Sequence, residues 1–329
     1  MSSKLGRWGE GGQRANSPCM IGRRPGLLFV GTTVLALVAA ACGGAERSTT
    51  TPPITTDAPV STTTTQAPST TTAPQTTTTA SESTGLVVYF LLDQLEGEEP
   101  PGPFLVPVHR EVSSSGNSAQ QAVEVLLAGP TPEETAGTPS ISTAIPEETQ
   151  ALGGSIVNGV ATVNLSGEFD DGGGSFGMFA RLAQVVYTLT RLPDIHSVAF
   201  EIEGESVTVF SAEGIELDGP QQRDDYFDLL PPIFVDRPAW GEPVSSPIQV
   251  SGLSNVFEAV SQVMLTDDDG EPLFEDVVRA SCGTGCWGEW SVEVPYEVDR
   301  DQFGALIVWE FSAKDGSRIH IREYPVRLE

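Results

Sequence analysis

The chain has 329 residues, 17 of them Lys or Arg and 45 Asp or Glu, for a formal net charge of −28. Five of the basic residues (Lys4, Arg7, Arg14, Arg23, Arg24) and one acid (Glu10) precede Cys42, which leaves 12 basic against 44 acidic side chains beyond it. Such a balance excludes nucleic acid as a partner, because neutralising phosphates takes Lys and Arg, and it excludes a polybasic grip on anionic lipid.

The first element in chain order is a targeting segment. From Met20, a candidate start of translation alongside Met1, the sequence runs MIGRRPGLLFVGTTVLALVAAAC. Arg23 and Arg24 form a basic flank, Leu27 to Ala41 is an uncharged run of 15 residues, and Ala39, Ala40 and Ala41 lead into Cys42. Fifteen residues make a helix of about 22 Å, short of the roughly 30 Å of a bilayer core, so residues 1–41 predict a cleaved signal peptide. The small residues before Cys42 resemble a bacterial lipobox. The resemblance implies cleavage before Cys42, acylation of that cysteine (palmitate or a similar chain) and anchoring on the extracytoplasmic face of the cell membrane.

Residues 42–84 predict a lipidated cysteine followed by a disordered linker. Threonine runs such as Thr62–Thr65 and Thr76–Thr79, with interspersed prolines, offer too little apolar surface to offset the entropy of ordering. A coil of forty such residues reaches on the order of 35 Å.

Residues 85–228 predict an α/β domain. Leu86 to Leu92 and Phe104 to Val112 read as strands. Ser118 caps a helix whose apolar positions Ala119, Ala122, Val123, Leu126 and Leu127 follow helical spacing, and Gly129-Pro130 ends it. Ser155–Val157 and Val160–Leu165 flank Asn158-Gly159, a hairpin signal. A helix over 175–192 follows, apolar most of the way round, so it is either deeply buried or offers a face to a partner. Its candidate partner surface is Phe176, Phe179, Leu182, Val186 and Leu189. His196–Ile202 and Ser206–Phe210 close the domain, which reads as a mixed sheet with two helices. Residues 232–329 carry about seven short strands with Asp269-Gly270 and Asp315-Gly316 turns, a β-sandwich pattern. The fold class is therefore α+β, a mixed-sheet domain followed by an all-β sandwich.

Two resemblances rest on ordered motifs. Leu126-Leu127-Ala128-Gly129-Pro130-Thr131-Pro132-Glu133-Glu134, Ala144-Ile145-Pro146, Val163 to Phe169 and Ala183 to Thr190 resemble the N-terminal domain of the sporulation and germination protein GerM. Ser246 to Gly252 followed by Val256 to Ala259 resembles the immunoglobulin-like domain of bacterial spore-germination proteins. Together these imply a non-enzymatic envelope lipoprotein used in binding or scaffolding, with no catalytic residues and no cofactor to transfer.

Cys282 and Cys286 flank Gly283-Thr284-Gly285 and read as a disulfide in an oxidising compartment; a metal site would want further ligands, and His320 is the sole histidine of that region. Gly173 to Gly177 matches G-x-S-x-G, but no strand leads directly into Ser175, and His196 follows too soon for a hydrolase order. Ser175 therefore reads as a helix N-cap, with a serine hydrolase as the remote alternative. Asp267-Asp268-Asp269-Gly270 lacks the distal glutamate of a calcium loop and reads as a hairpin turn. Among the aromatics Trp240, Trp287, Trp290 and Trp309, the pair Trp287 and Trp290 beside the cysteine loop are candidate glycan contacts; Trp309 reads as core. The expected role is a membrane-anchored scaffold that meets another envelope protein, with a cell-wall polysaccharide or peptidoglycan binder as the alternative.

Overall fold

The computed structural model describes residues 83–94, 99–114 and 117–329. Cys42, the apolar run before it and most of the threonine-rich stretch lie outside them. Strands β1 (Ser83–Leu92) and β2 (Phe104–Ser113) pair antiparallel along their whole length. Val88 to Leu92 are all buried, as in a strand covered on both faces. The two-residue β3 (Ile141–Ser142) joins the other side of β1 at Leu91 and Leu92.

Helix α1 (Ser118–Leu127) is capped one residue earlier than expected: the Asn117 side-chain oxygen accepts from the N–H groups of Ala119 and Gln120. Gly129 turns left-handed to end it, at φ 76°. Thr131 then forms a capping box with Glu134 around the single turn α2 (Pro132–Thr135). Glu134 also holds Arg110 of β2 at 2.6 Å. The Leu126–Glu134 motif is thus a helix exit, a cap and a clasp on the neighbouring strand.

Strands β4 (Ala151–Val157) and β5 (Val160–Leu165) form a hairpin in which Asn158 and Gly159 both take positive φ, a type I′ turn. Helix α3 (Gly174–Leu189) then crosses over to β6 (Ser197–Ile202), parallel to β5, and β7 (Glu205–Ser206) completes the order β4-β5-β6-β7. A small ribbon of β8 (Val209–Phe210) and β9 (Ile215–Glu216) and a 3-10 segment at Arg223–Leu229 end the region. The single mixed sheet expected is instead two sheets, and α3 packs on β1 of one and β6 of the other. That double contact is why the helix is apolar most of the way round. Its cap also differs: Gly173 precedes the first turn and Ser175 lies within it.

Beyond residue 232 two antiparallel layers follow. One has the order β10 (Ile233–Arg237), β12 (Ile248–Ser254), β15 (Gly288–Val294). The other runs β11 (Pro243–Val244), β17 (Arg318–Leu328), β16 (Gln302–Phe311), β13 (Val260–Thr266), β14 (Pro272–Arg279), with β11 parallel to β17. Val250, Val263, Leu265, Leu306, Val308 and Trp309 are buried in the sandwich core. A Cβ on Gly252 would run into the Phe234 carbonyl oxygen of β10, so only glycine fits the end of the Ser246–Gly252 motif. Phe257 to Ala259 form a 3-10 turn with Glu258 and Ala259 at positive φ before β13 begins.

Candidate functional site at the domain junction

Where the two regions meet, β1, the end of α3, the connecting 3-10 segment and β10 each contribute one polar side chain to a single point. Asp236 on β10 accepts from the Tyr89 hydroxyl at 2.5 Å, from Arg191 at 2.7 Å and from Arg223 at 3.0 Å. Arg223 also donates to Thr190 Oγ1, to the Tyr89 hydroxyl and to the Tyr187 carbonyl, and its guanidinium stacks over the Tyr187 ring at 4.7 Å. The Tyr187 hydroxyl returns a bond to the Arg223 carbonyl, and its ring meets Phe234 edge-on. One carboxylate thus organises two guanidiniums and a phenol around a stacked aromatic core.

The electrostatics follow from that geometry. Burial alone would push the Asp236 carboxyl up, but Arg223, Arg191 and the Tyr89 hydroxyl outweigh it and hold it below its ordinary value. Burial, with the Asp236 carboxylate, pushes the Tyr89 hydroxyl well above its ordinary value, so the phenol stays a donor. Burial opposes the Arg223 charge, and the Asp236 carboxylate beside it more than restores it. Each charge has a partner, an arrangement suited to fastening two bodies together.

Backbone contacts reinforce the fastening. The outer edge of β2 is closed by Trp240, which donates its N–H to the Pro107 carbonyl at 2.8 Å and accepts from the His109 N–H at 3.0 Å. Arg322 of β17 lies over the Phe104 ring at 5.0 Å. Beside the junction opens a cleft of about 1060 Å³, lined by His196, Arg223, Phe227, Arg279 and Trp290 among others.

The family model described as sporulation and spore germination, Germane, matches residues 87–208, and the one described as the immunoglobulin-like domain of bacterial spore germination, Gmad2, matches residues 232–317. The chain carries both domains, in that order. Among solved structures, the tandem GerMN domains of the sporulation protein GerM from Bacillus subtilis are similar at 24% identity, over 46% of this chain and 49% of that one, with a TM-score of 0.34. The first GerMN domain of the same protein is similar at 17% identity, over 43% of this chain and 99% of that one, with a TM-score of 0.33. The chain spans about half the length of the tandem GerM structure. No curated protein sequence matches it. Both matched domains are associated with germination. In these terms Tyr89 and Arg191 belong to Germane, Asp236 belongs to Gmad2, and Arg223 lies in the 23 residues between the two matches.

In Germane, Leu182, Val186 and Leu189 are 0%, 0% and 2% exposed and sit in the core. They cannot form a partner surface, because α3 spends those positions on the two sheets. Phe179 packs on the Tyr226 ring at 4.7 Å, and Phe176 alone of the five is open, at 51%. In Gmad2, Cys282 and Cys286 are joined, with their Cα atoms 6.0 Å apart. Trp290 is buried at 4% and Trp309 at 1%, so Trp290 offers no face to a glycan; Trp287, half-buried, is occupied by the Phe227 ring at 5.5 Å. Asp267 accepts from the N–H groups of Asp269 and Glu271, and Asp268 pairs with Arg300, which makes this acidic run a turn. The Ser175 hydroxyl donates to Glu213 at 2.8 Å on the surface. His320 contacts Glu310 at 2.6 Å. Among the described residues no three His, Cys, Asp or Glu side chains converge on a metal position.

Sequence reading missed the Asp236 cluster, although one signal pointed to it. On the otherwise apolar α3, Arg181, Gln184 and Thr188 recur at helical spacing, and Arg191 continues the series just past the helix end. The first three are buried. Gln184 and Thr188 stand in for a strand neighbour of β1: Thr188 Oγ1 accepts the Tyr89 N–H and Gln184 donates to the Tyr89 carbonyl. Arg181 gathers the carbonyls of Phe169, Asp171 and Gly172.

Proposed function

We propose that this chain is an exported, lipid-anchored, non-catalytic scaffold. The lipid sits on Cys42 at the extracytoplasmic face of the membrane, the residues from Cys42 up to the start of β1 at Ser83 act as the tether, two residues shorter than the linker read from sequence, and the Germane–Gmad2 pair is a single rigid body that meets another envelope protein. The observation that carries this reading is the Asp236 junction. Two modules on a linker need no shared carboxylate, whereas a body that must present surfaces from both domains at a fixed angle does. The charges of the junction are consumed in fastening, which supports a role in positioning over one in proton transfer.

The test uses the full chain, tagged and crosslinked in intact cells, beside Cys42→Ala. The expected result is a discrete protein crosslink for the parent chain, recovered from the membrane fraction, and its loss with Cys42→Ala. Retention of the purified parent chain on cell-wall polysaccharide, with no protein crosslink in cells, would favour the polysaccharide-binding alternative and refute the proposal.

A further inference from the structure

The Trp240 segment ties the two domains edge to edge. Trp240 pairs with Pro107 and His109 of β2 on one side; on the other, the Gly241 N–H donates to the Pro325 carbonyl of β17 at 2.7 Å and the Arg327 N–H to the Glu242 carbonyl at 3.0 Å. Residues 240–242 thus splice β2 of Germane to β17 of the sandwich. The His109 side chain sits in that splice. Its ring lies over Gly85 of β1, where a Cβ would come within 2.7 Å of the ring Cε1. Nε2 is buried and has no hydrogen-bond partner among the described residues. Four charged groups face the ring: Arg110 and Glu111 from β2, and Glu242 and Arg327 from the sandwich, while β1 brings none. Two of the four are committed elsewhere, Arg110 to Glu134 at 2.6 Å and the Glu242 carboxylate to the Ala239 N–H at 2.7 Å.

With its proton on Nδ1, a neutral imidazole leaves Nε2 as an unpaired acceptor, a modest cost. A second proton turns Nε2 into a charged donor with no acceptor to meet, and an unpaired buried charge costs far more than an unpaired neutral atom. We propose that the splice is an acid-released latch: protonation of His109 on mild acidification frees the Trp240 segment from β2 and leaves the two domains hinged on the Asp236 cluster. Burial, with Arg327 and Arg110, outweighs Glu242 and Glu111 and holds the imidazole below its ordinary value. Released, the ring regains the ordinary value of about 6.5. The latch is therefore fully closed above that pH and weakens as pH falls from there toward the closed-state value, by up to about tenfold per pH unit. Asp236 is held below its own ordinary value, so it stays ionised throughout this window and keeps its two arginines. One fastening thus answers to mild acid and the other does not. This inference rests on the fastened junction proposed above.

Hydrogen exchange of the full chain, corrected for the intrinsic rate at each pH, tests the latch at the His109 and Trp240 amides, which both lie in it. From pH 7.5 to pH 5 the protection of these amides in the parent chain should fall by about tenfold or more. His109→Phe keeps a ring over Gly85 and takes up no proton, so its protection should stay at the pH 7.5 level across the range. His109→Lys carries the charge at every pH, and its two amides should exchange at least about tenfold faster than the parent's already at pH 7.5. Parent protection that ignores pH, a fall that persists in His109→Phe, or a His109→Lys chain as protected as the parent would each overturn the latch and leave the fastened junction standing. Unprotected amides in the parent at pH 7.5 would overturn both.

Discussion

Asp236→Asn is the perturbation that asks most of the junction. The substitution keeps the shape of the side chain and removes the charge, leaving Arg191 and Arg223 facing a neutral amide. Breaking one side of a buried ion pair costs about 3–5 kcal/mol, and the 21% exposure of Asp236 places it at the lower end, about 3 kcal/mol. For a body of this size that is a fall of roughly 6–12 °C in melting temperature. The pH dependence gives a second signature. Because the folded carboxyl lies below its unfolded value of about 3.9, its stabilisation is fully present above that pH and is lost as pH falls through the folded pKa. Scanning calorimetry from pH 3 to 7 should therefore show a gap between parent and variant that is constant above about pH 4 and narrows below it. A variant melting within a degree of the parent, or a gap that ignores pH, would refute the reasoning.

Gln184→Leu should cost about 3 kcal/mol, because it leaves the Tyr89 carbonyl and the Ala144 N–H without their partner in the core. Urea unfolding checks it: the midpoint should fall with the slope unchanged. Replacing Cys282 and Cys286 together by Ser opens a five-residue loop and should cost about 2 kcal/mol by chain entropy, read as a lower melting temperature that reductant no longer alters.

Local chemistry made much of the fold legible in the sequence. The Asn158-Gly159 turn, the exit from α1 through Gly129 and the alternating strands of the sandwich follow from rules acting over a few residues. What stayed hidden depends on long-range pairing. The apolar girth of α3 was plain, but burial against two sheets and exposure to a partner produce the same pattern, so Leu182, Val186 and Leu189 were assigned to a surface they do not occupy. Trp290 was misplaced for a related reason: alternation along β15 turns it inward, and proximity to the cysteine loop says nothing about direction. Asp236 looked like one acid among 45, because what sets it apart is the convergence of Tyr89, Arg191 and Arg223 from distant parts of the chain.

The rigidity of the Germane–Gmad2 pair can be measured without knowing its partner. Spin labels at Glu216 on β9 and Lys314 in the turn before β17, both exposed, report the angle between the domains through dipolar distance measurements. A fastened junction predicts one narrow distance distribution for the parent chain and a broadened one for Asp236→Asn. A broad distribution in the parent chain, of the kind two modules on a free linker would give, would contradict the account.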